Sequence, residues 1–412
     1  MGAATSRAVA SKRLPCVPAL RRHNGRVLVF VPMSGLGNSL LAFASFAALA
    51  NVTGRSLLVL WDRHQNPASA ASFSDMFLPP PPNAMEHPFV DGSMLHQTDH
   101  TDSLCVRRGR PVEMWEPWSR THGRCRIDAR GGSAGDWLRT WASKNLSQAP
   151  WAGCEAAWSK GNVYFAPLLQ AHGARPETFG EFSRRMLVPR PHLVRSADRF
   201  VEEQRGVSRR GTALIALHVR ESHIAGRANR TTSEWTHSTT EWSSSKKFLS
   251  CVAKVGQLAR AAGYERERVY IASDQRIVRE RAMQLLGNDT LSPPHCGDLP
   301  CQLPNDVQLG PIRDVDATRL AFQELLVLAR SDALLIWKLD SSTYSTVAAT
   351  WAVQPAAGQA LRRRRPWLGV FCVRCGCSRI PDKVVLQPRL PPGLHPNDMR
   401  TYSAILRLRG LG

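Results

Sequence analysis

Residues 27–61 read VLVFVPMSGLGNSLLAFASFAALANVTGRSLLVLW. The stretch opens with five consecutive apolar residues, which is typical of a strand buried on both faces of a parallel sheet. After a glycine-containing turn, the spacing predicts a helix from about Asn38 to Thr53, with Gly54 as its C-terminal cap. A second apolar strand is predicted at 56–61. This strand–helix–strand order with short connections predicts parallel pairing and an α/β fold.

The same alternation returns in the second half of the chain, after a stretch from 64 to 190 with few clean periods. Strands that alternate with helices predict a second doubly wound sheet. The predicted strands are 213–219, 268–272 and 333–337, and the predicted helices are 245–263, 275–286, 316–331 and one that begins near Thr343.

A length of 412 residues favours about two domains. We predict two Rossmann-like lobes. The predicted units are a basic segment at 1–26, a first lobe at 27–205, a second lobe at 206–355, and a basic, loosely packed Pro/Arg-rich tail at 356–412.

The formal net charge is +21, from 54 Lys and Arg against 33 Asp and Glu. Such an excess favours anionic partners such as nucleotides, polyanions or acidic membrane surfaces, and it also fits a generally basic solvated surface. No window approaches the roughly 20 apolar residues that span a bilayer. The first 26 residues lack the apolar middle of a signal peptide. Gly2 and Ser6 fit the minimal myristoylation pattern, so membrane association is possible.

Ten cysteines and four Asn-x-Ser/Thr sequons suit an oxidising lumen, and we predict a location in the Golgi lumen or membrane. The cluster Cys372, Cys375 and Cys377 could ligate zinc, but without a matching group at finger spacing it favours disulfides or free thiols. The sequons are at Asn51, Asn145, Asn229 and Asn288.

The turn around Gly35 and Gly37 lies between a strand and a helix, where glycines allow close approach of a ligand and helix N–H groups face an anion. A dinucleotide fingerprint is one alternative, with Asp62 as the acid that binds ribose, but Leu40 occupies the position of its third small residue. A tight turn without a ligand is the other.

Polar residues also follow the predicted strands of the second half. His218 and Arg220 share one face of a strand end, and the Arg guanidinium can bond two oxygens of a diphosphate. Ser273 and Asp274 end the next strand, where the carboxylate could bind ribose or guanine. Hydroxyls at a helix start can bind phosphate without a metal, although each of these residues also has a capping explanation. They are Ser341, Ser342 and Thr343.

Together these motifs resemble the fucosyltransferase superfamily, and plant xyloglucan fucosyltransferases most of all. The resemblance covers roughly 27–62 and 213–353. It is carried by Gly35–Ala42, by Thr53–Val59, by His218-Val219-Arg220, and by Asp332–Leu335 followed by Ser342–Ala348, with Tyr344 where Phe is common. The chain departs from many relatives in the Glu221-Ser222-His223 that follows Arg220.

The resemblance implies a GT-B-like fold with a cleft between the two lobes, in which 27–205 is the acceptor-side lobe and 206–355 is the nucleotide-sugar-binding lobe. It implies an inverting, metal-independent transfer of fucose from GDP-fucose to a glycan or protein acceptor, with no cofactor besides the donor. It implies that Arg220 binds the donor β-phosphate, with Ser342 and Thr343 beside it. Asn38 would orient the sugar or the acceptor. The general base is left open among Glu221, Asp62 and His218.

Three other functions remain open from the sequence. The charge, with Trp interleaved among Arg, fits a nucleic-acid-binding protein, although no RNP, zinc-finger or helix-turn-helix pattern supports it and we predict no nucleic-acid partner. The first strand–helix–strand unit fits an NAD-dependent oxidoreductase. A non-catalytic transferase is the third.

Overall fold

The structure is a computed structural model of the 412-residue chain. It describes residues 26–32, 36–61, 71–81, 89–91, 127, 146, 149, 151–154, 156–161, 179–206, 211–219, 239–273, 276–287, 289–291, 315–337, 342–353, 367–382 and 385.

The first half of the chain forms a four-stranded sheet in the order β4-β2-β1-β5, in which every pairing is parallel. Its central strand is the apolar run that opens the motif, buried along its whole length because helices cover the sheet. The strands are β1 Val27–Pro32, β2 Ser56–Val59, β4 Phe89–Asp91 and β5 Ala156–Gly161, and helix α1 Leu36–Val52 follows β1.

The second half forms a six-stranded sheet in the order β12-β11-β10-β7-β8-β9, parallel except for the β11–β12 hairpin. Its strands are β7 Thr212–Val219, β8 Arg266–Ser273, β9 Thr290–Leu291, β10 Ala333–Ile336, β11 Gly369–Cys372 and β12 Ser378–Ile380. Its helices are α4 Pro191–Arg205, α5 Thr239–Ala261, α6 Arg276–Leu286, α7 Val315–Arg330 and α8 Thr343–Ala352.

Shorter elements link the two sheets. Strands β3 Phe77–Leu78 and β6 Val188–Pro189 pair antiparallel, and helices α2 Phe73–Met76 and α3 Phe179–Met186 lie beside them. They come from the stretch whose sequence has few clean periods, because segments of two to eight residues are too short to show a period.

One apolar cluster runs through both halves of the chain. It joins Phe30 and Phe43 of the first sheet and its helix to Phe322 of α7 and Val347 of α8. A second cluster covers the other face of the C-terminal sheet, under α5. The two halves are therefore packed on each other through a shared core, and α8 lies on the side that faces the first half.

The predicted strand–helix alternation is confirmed with small shifts of boundary, and Gly54 has the positive φ of 64° expected of a C-terminal cap. The prediction of a loosely packed tail is wrong for residues 369–380, because they form the hairpin of β11 and β12 at the edge of the C-terminal sheet. The four-residue β11 is buried, but its apolar run was too short to recognise between arginines and cysteines.

Candidate functional site

Two helices begin where the central strands of the two sheets end, and they meet there. Helix α1 follows β1, and helix α8 follows β10. A Cβ atom on Gly37 would lie 2.5 Å from the backbone nitrogen of Tyr344 and 2.7 Å from the carbonyl carbon of Thr343. Gly37 is therefore required by the close packing of α1 on α8, a role that the turn motif alone did not reveal.

Ser342 occupies the N-cap position of α8. Its φ and ψ of −145° and 126° are those of a capping residue, but its side chain makes no capping hydrogen bond. The residue is only 4% exposed, and its Oγ has no hydrogen-bond partner among the described residues. An unsatisfied buried hydroxyl costs about 1–3 kcal/mol, so this group is placed to bind a ligand oxygen at the start of the helix.

His218 lies near the end of β7, beside Ile336 of β10 and Ala272 of β8. It is 2% exposed. Its Nδ1 shares a hydrogen bond with the Oγ of Ser345, and its ring centroid lies 5.3 Å from that of Tyr344. The imidazole is thus buried against the first turn of α8, the helix that carries Ser342.

The contacts of Tyr344 show what a Tyr adds at the motif position where Phe is common. Its hydroxyl donates to the backbone oxygen of Ala321 at 2.5 Å and lies 3.2 Å from Oε2 of the buried Glu324. The phenol of Tyr344 therefore anchors the first turn of α8 to α7 with a bond that Phe cannot make. Glu324 also acts on Tyr270 of β8: burial, with the Glu324 charge as a smaller cause, raises the pKa of Tyr270 well above its ordinary value.

Ser273 ends β8 at the level of Val219, so it lies at the same sheet edge as His218. Its backbone oxygen accepts a hydrogen bond of 2.8 Å from Nη1 of Arg279, a buried guanidinium on α6. Sequence reasoning missed Arg279. Its position one turn inside a helix that follows Ser273 was the available signal.

Two charged residues of the family-like motifs have structural roles. Arg55 is buried and donates hydrogen bonds to the backbone oxygens of Val27, Trp151, Ala152 and Cys154, and burial lowers its pKa to about 10. Asp332 is buried, accepts from the backbone nitrogen of Leu214 at 2.9 Å, and pairs with Arg205 at 2.8 Å. Neither side chain lies at the strand-end edge.

Five of the predicted site residues lie where α1, α8 and the end of β7 meet. These are Gly37 and Asn38 of α1, His218, Ser342 and Thr343. A sixth, Ser273, lies at the same edge of the C-terminal sheet, at the end of β8. Five other predicted site residues lie outside the described residues, namely Gly35, Arg220, Glu221, Asp274 and Ser341. Asp62, a candidate general base, also lies outside them.

The described residues hold no group of three His, Cys, Asp or Glu side chains that could bind a metal ion. In the same ranges, none of the helices has the length and apolar character needed to cross a bilayer.

Two mainly parallel sheets that share an apolar core, and that approach each other where α1 packs on α8, confirm the predicted two-lobed α/β fold. No protein-family model and no curated protein matches the sequence.

Several solved structures are similar to the chain. NodZ α-1,6-fucosyltransferase soaked with GDP-fucose has a TM-score of 0.49 at 17% identity, over 79% of this chain and 92% of that chain. A variant of Arabidopsis thaliana FUT1 in complex with GDP has a TM-score of 0.45 at 17% identity, over 79% of this chain and 68% of that chain. POFUT1 in complex with GDP has a TM-score of 0.40 at 13% identity, over 83% of this chain and 97% of that chain.

Proposed function

We propose that this protein is a glycosyltransferase that binds GDP-fucose at the carboxyl edge of the C-terminal sheet and transfers fucose to a glycan or protein acceptor. The observation that carries the proposal is the Ser342 hydroxyl, which is buried at the start of α8 without a hydrogen-bond partner in the part of the chain that the structure describes. A helix start with a free hydroxyl is suited to a phosphate group, because the first-turn N–H groups and the helix dipole also favour negative charge.

The donor diphosphate would lie between the start of α8 and the end of β7. Arg220 follows β7 by one residue, and its planar guanidinium can bond two phosphate oxygens at once. Ser342 and Thr343 would bond the same diphosphate from the other side. His218 would position the start of α8, since its hydrogen bond to Ser345 holds the first turn of that helix against β7.

In the proposed reaction the acceptor oxygen forms a bond to the anomeric carbon of fucose from the face opposite the diphosphate. The bond between that carbon and the diphosphate oxygen breaks, and its electron pair leaves with GDP. The acceptor proton passes to a carboxylate. Negative charge that builds on the diphosphate is stabilised by the cation and helix start already in place, so no metal ion is needed.

For the general base, the described geometry favours a carboxylate over the imidazole. The His218 ring is buried and its Nδ1 is bonded to Ser345, so it is suited to positioning α8. Glu221 and Asp62, each close in sequence to a strand end, are the remaining candidates.

The experiment compares two serines at opposite ends of β10, measured by calorimetric titration with GDP, UDP and ADP in EDTA. Ser342→Ala removes the unpartnered hydroxyl, so we expect about tenfold weaker GDP binding and an unchanged or higher melting temperature. Ser331→Ala is the matched control. Its hydroxyl bonds the backbone oxygens of Leu328 and Ala333, so that variant should lose stability and keep its GDP affinity. Wild-type protein that binds the three nucleotides equally, or none of them, would contradict the proposal.

A further inference from the structure

A group of exposed cations lies on the opposite face of the C-terminal sheet from α8. We call it the basic face, and it consists of Lys246, Lys247 and Lys254 of α5 and Arg374 of the β11–β12 turn. Helix α5 packs on the second apolar cluster through Phe248, whereas α8 belongs to the cluster shared with the first half. The basic face is therefore separate from the proposed donor site.

The basic face is held in a fixed shape. The disulfide Cys251–Cys377 joins the middle of α5 to the turn that carries Arg374, and Nζ of Lys254 lies 3.5 Å from the backbone oxygen of Gly376. Lys247 and Lys254 are seven residues apart, which places them on one side of the helix about 10 Å apart along its axis. The cations thus form a row rather than independent flexible charges.

Acidic residues are few around these charges, since the sequence contains neither Asp nor Glu from 246 to 264 or from 367 to 381. Among the described residues, the nearby Glu267 and Asp382 pair with Arg260 and Arg379. In the described ranges none of the four cations of the basic face forms an ion pair. The positive field of the basic face is therefore available to an anionic partner.

The aromatic and apolar surroundings decide which polyanion fits. The Trp337 ring lies under Nζ of Lys247 at 5.8 Å and against Phe248 at 5.6 Å, so it is not an open platform for stacking a nucleic-acid base. The exposed helix positions between Lys247 and Lys254 are Ser250 and Ala253, which are small. Leu258, one turn beyond Lys254, is exposed, but a single leucine offers little apolar surface to insert into a membrane.

The five described cysteines are all disulfide-bonded, as is typical of proteins in oxidising compartments, where acidic glycans rather than nucleic acids are the polyanions at hand. We infer that the basic face binds an acidic polysaccharide, whose sulfate or carboxylate groups pair with the row of lysines and with Arg374. This binding site is independent of the proposed sugar transfer.

The test uses the full chain and heparin as the sulfated probe, with uncharged dextran, single-stranded RNA and phosphatidylserine vesicles as comparison ligands. Lys246→Glu/Lys254→Glu removes two cations from the basic face while keeping the Lys247 contact with Trp337. We expect heparin binding near physiological salt to weaken roughly tenfold or more, with a shallower dependence on salt, because fewer counterions are exchanged on binding.

The control is Arg195→Glu/Arg199→Glu, which makes the same change of net charge at exposed positions of α4, a helix that packs on the opposite side of the sheet. It should keep most of the heparin affinity, and melting temperatures should show that both variants fold. Equal losses in the two variants would assign the binding to the overall +21 charge and overturn the inference. It would also be overturned if RNA or vesicles bound more tightly than heparin and lost that binding only in the basic-face variant.

Discussion

Helices α1 and α8 occupy the same place in their sheets, since each begins after the central parallel strand. Their first residues nevertheless serve different purposes. Gly37 is the second residue of α1, and its missing side chain lets the backbone of α8 come close. Ser342 is the N-cap residue of α8, and its buried hydroxyl has no hydrogen-bond partner among the described residues. A glycine at a strand–helix turn thus does not by itself indicate a ligand-binding site, because close helix packing also requires it. A buried hydroxyl without a hydrogen-bond partner at the matching turn is the stronger indication of a ligand.

Arg220 is expected to give the largest effect, and it tests the ligand-binding side of this comparison. Arg220→Ala should slow sugar transfer by about 10²- to 10³-fold, roughly 3–5 kcal/mol, because its two-pronged bonds to the diphosphate strengthen as the charge develops. Arg220→Lys keeps the charge but loses the planar fork, so its loss should be smaller. Transfer rates and melting temperatures are measured together.

The control for Arg220 is Arg199→Ala, at an exposed position of α4. It should change neither the rate nor the melting temperature. An Arg220→Ala protein that melts normally and transfers fucose at the wild-type rate would remove Arg220 from the site.

Gly37 tests the packing side, with a smaller effect that falls on stability. Gly37→Ala places a methyl group against the backbone of Thr343 and Tyr344, which cannot move aside as a flexible side chain can. We expect a loss of about 1–3 kcal/mol in the free energy of unfolding, even though alanine favours helices by about 1 kcal/mol over glycine. Urea unfolding measures it.

Gly153→Ala is the matched control, because a Cβ there would meet no atom within 4 Å. That variant should be as stable as the wild type or slightly more stable. If Gly37→Ala also keeps its stability, the contact between α1 and α8 is looser than described, and Gly37 returns to the list of ligand-binding candidates.

The sequence predicted the elements well because hydrophobic periodicity is local. The runs at 213–219 and 333–337 needed nothing outside themselves to be recognised as buried strands. What could not be predicted depends on partners distant in the chain. Nothing near Gly37 shows that Tyr344 packs against it. Strand alternation correctly placed His218 on one face of β7 but could not show that Ser345 and Tyr344 cover it.

Asp75 gives the smallest expected effect and tests a second joint between the halves, where it pairs with Arg319 of α7 at 2.7 Å. Burial works against its ionisation, but hydrogen bonds from Ser72 and Arg319 outweigh it and hold the pKa of Asp75 below its ordinary value of 3.8. Because the carboxylate is favoured in the folded state, its stabilisation is present above the unfolded-state pKa and is lost as the pH falls through the folded value.

Asp75→Asn should therefore cost about 0.5–1 kcal/mol of unfolding free energy at neutral pH, since the pair is partly exposed, and the difference from wild type should shrink below about pH 4. Asp198→Asn is the control, because Asp198 also pairs with an arginine, Arg330, but within the C-terminal half and at a more exposed site. Urea unfolding over a pH series compares the three proteins. A pH-independent cost for Asp75→Asn, or the same pH dependence in both variants, would show that the ionised Asp75 is not a specific joint and leave the α1–α8 contact and the shared apolar core to hold the halves together.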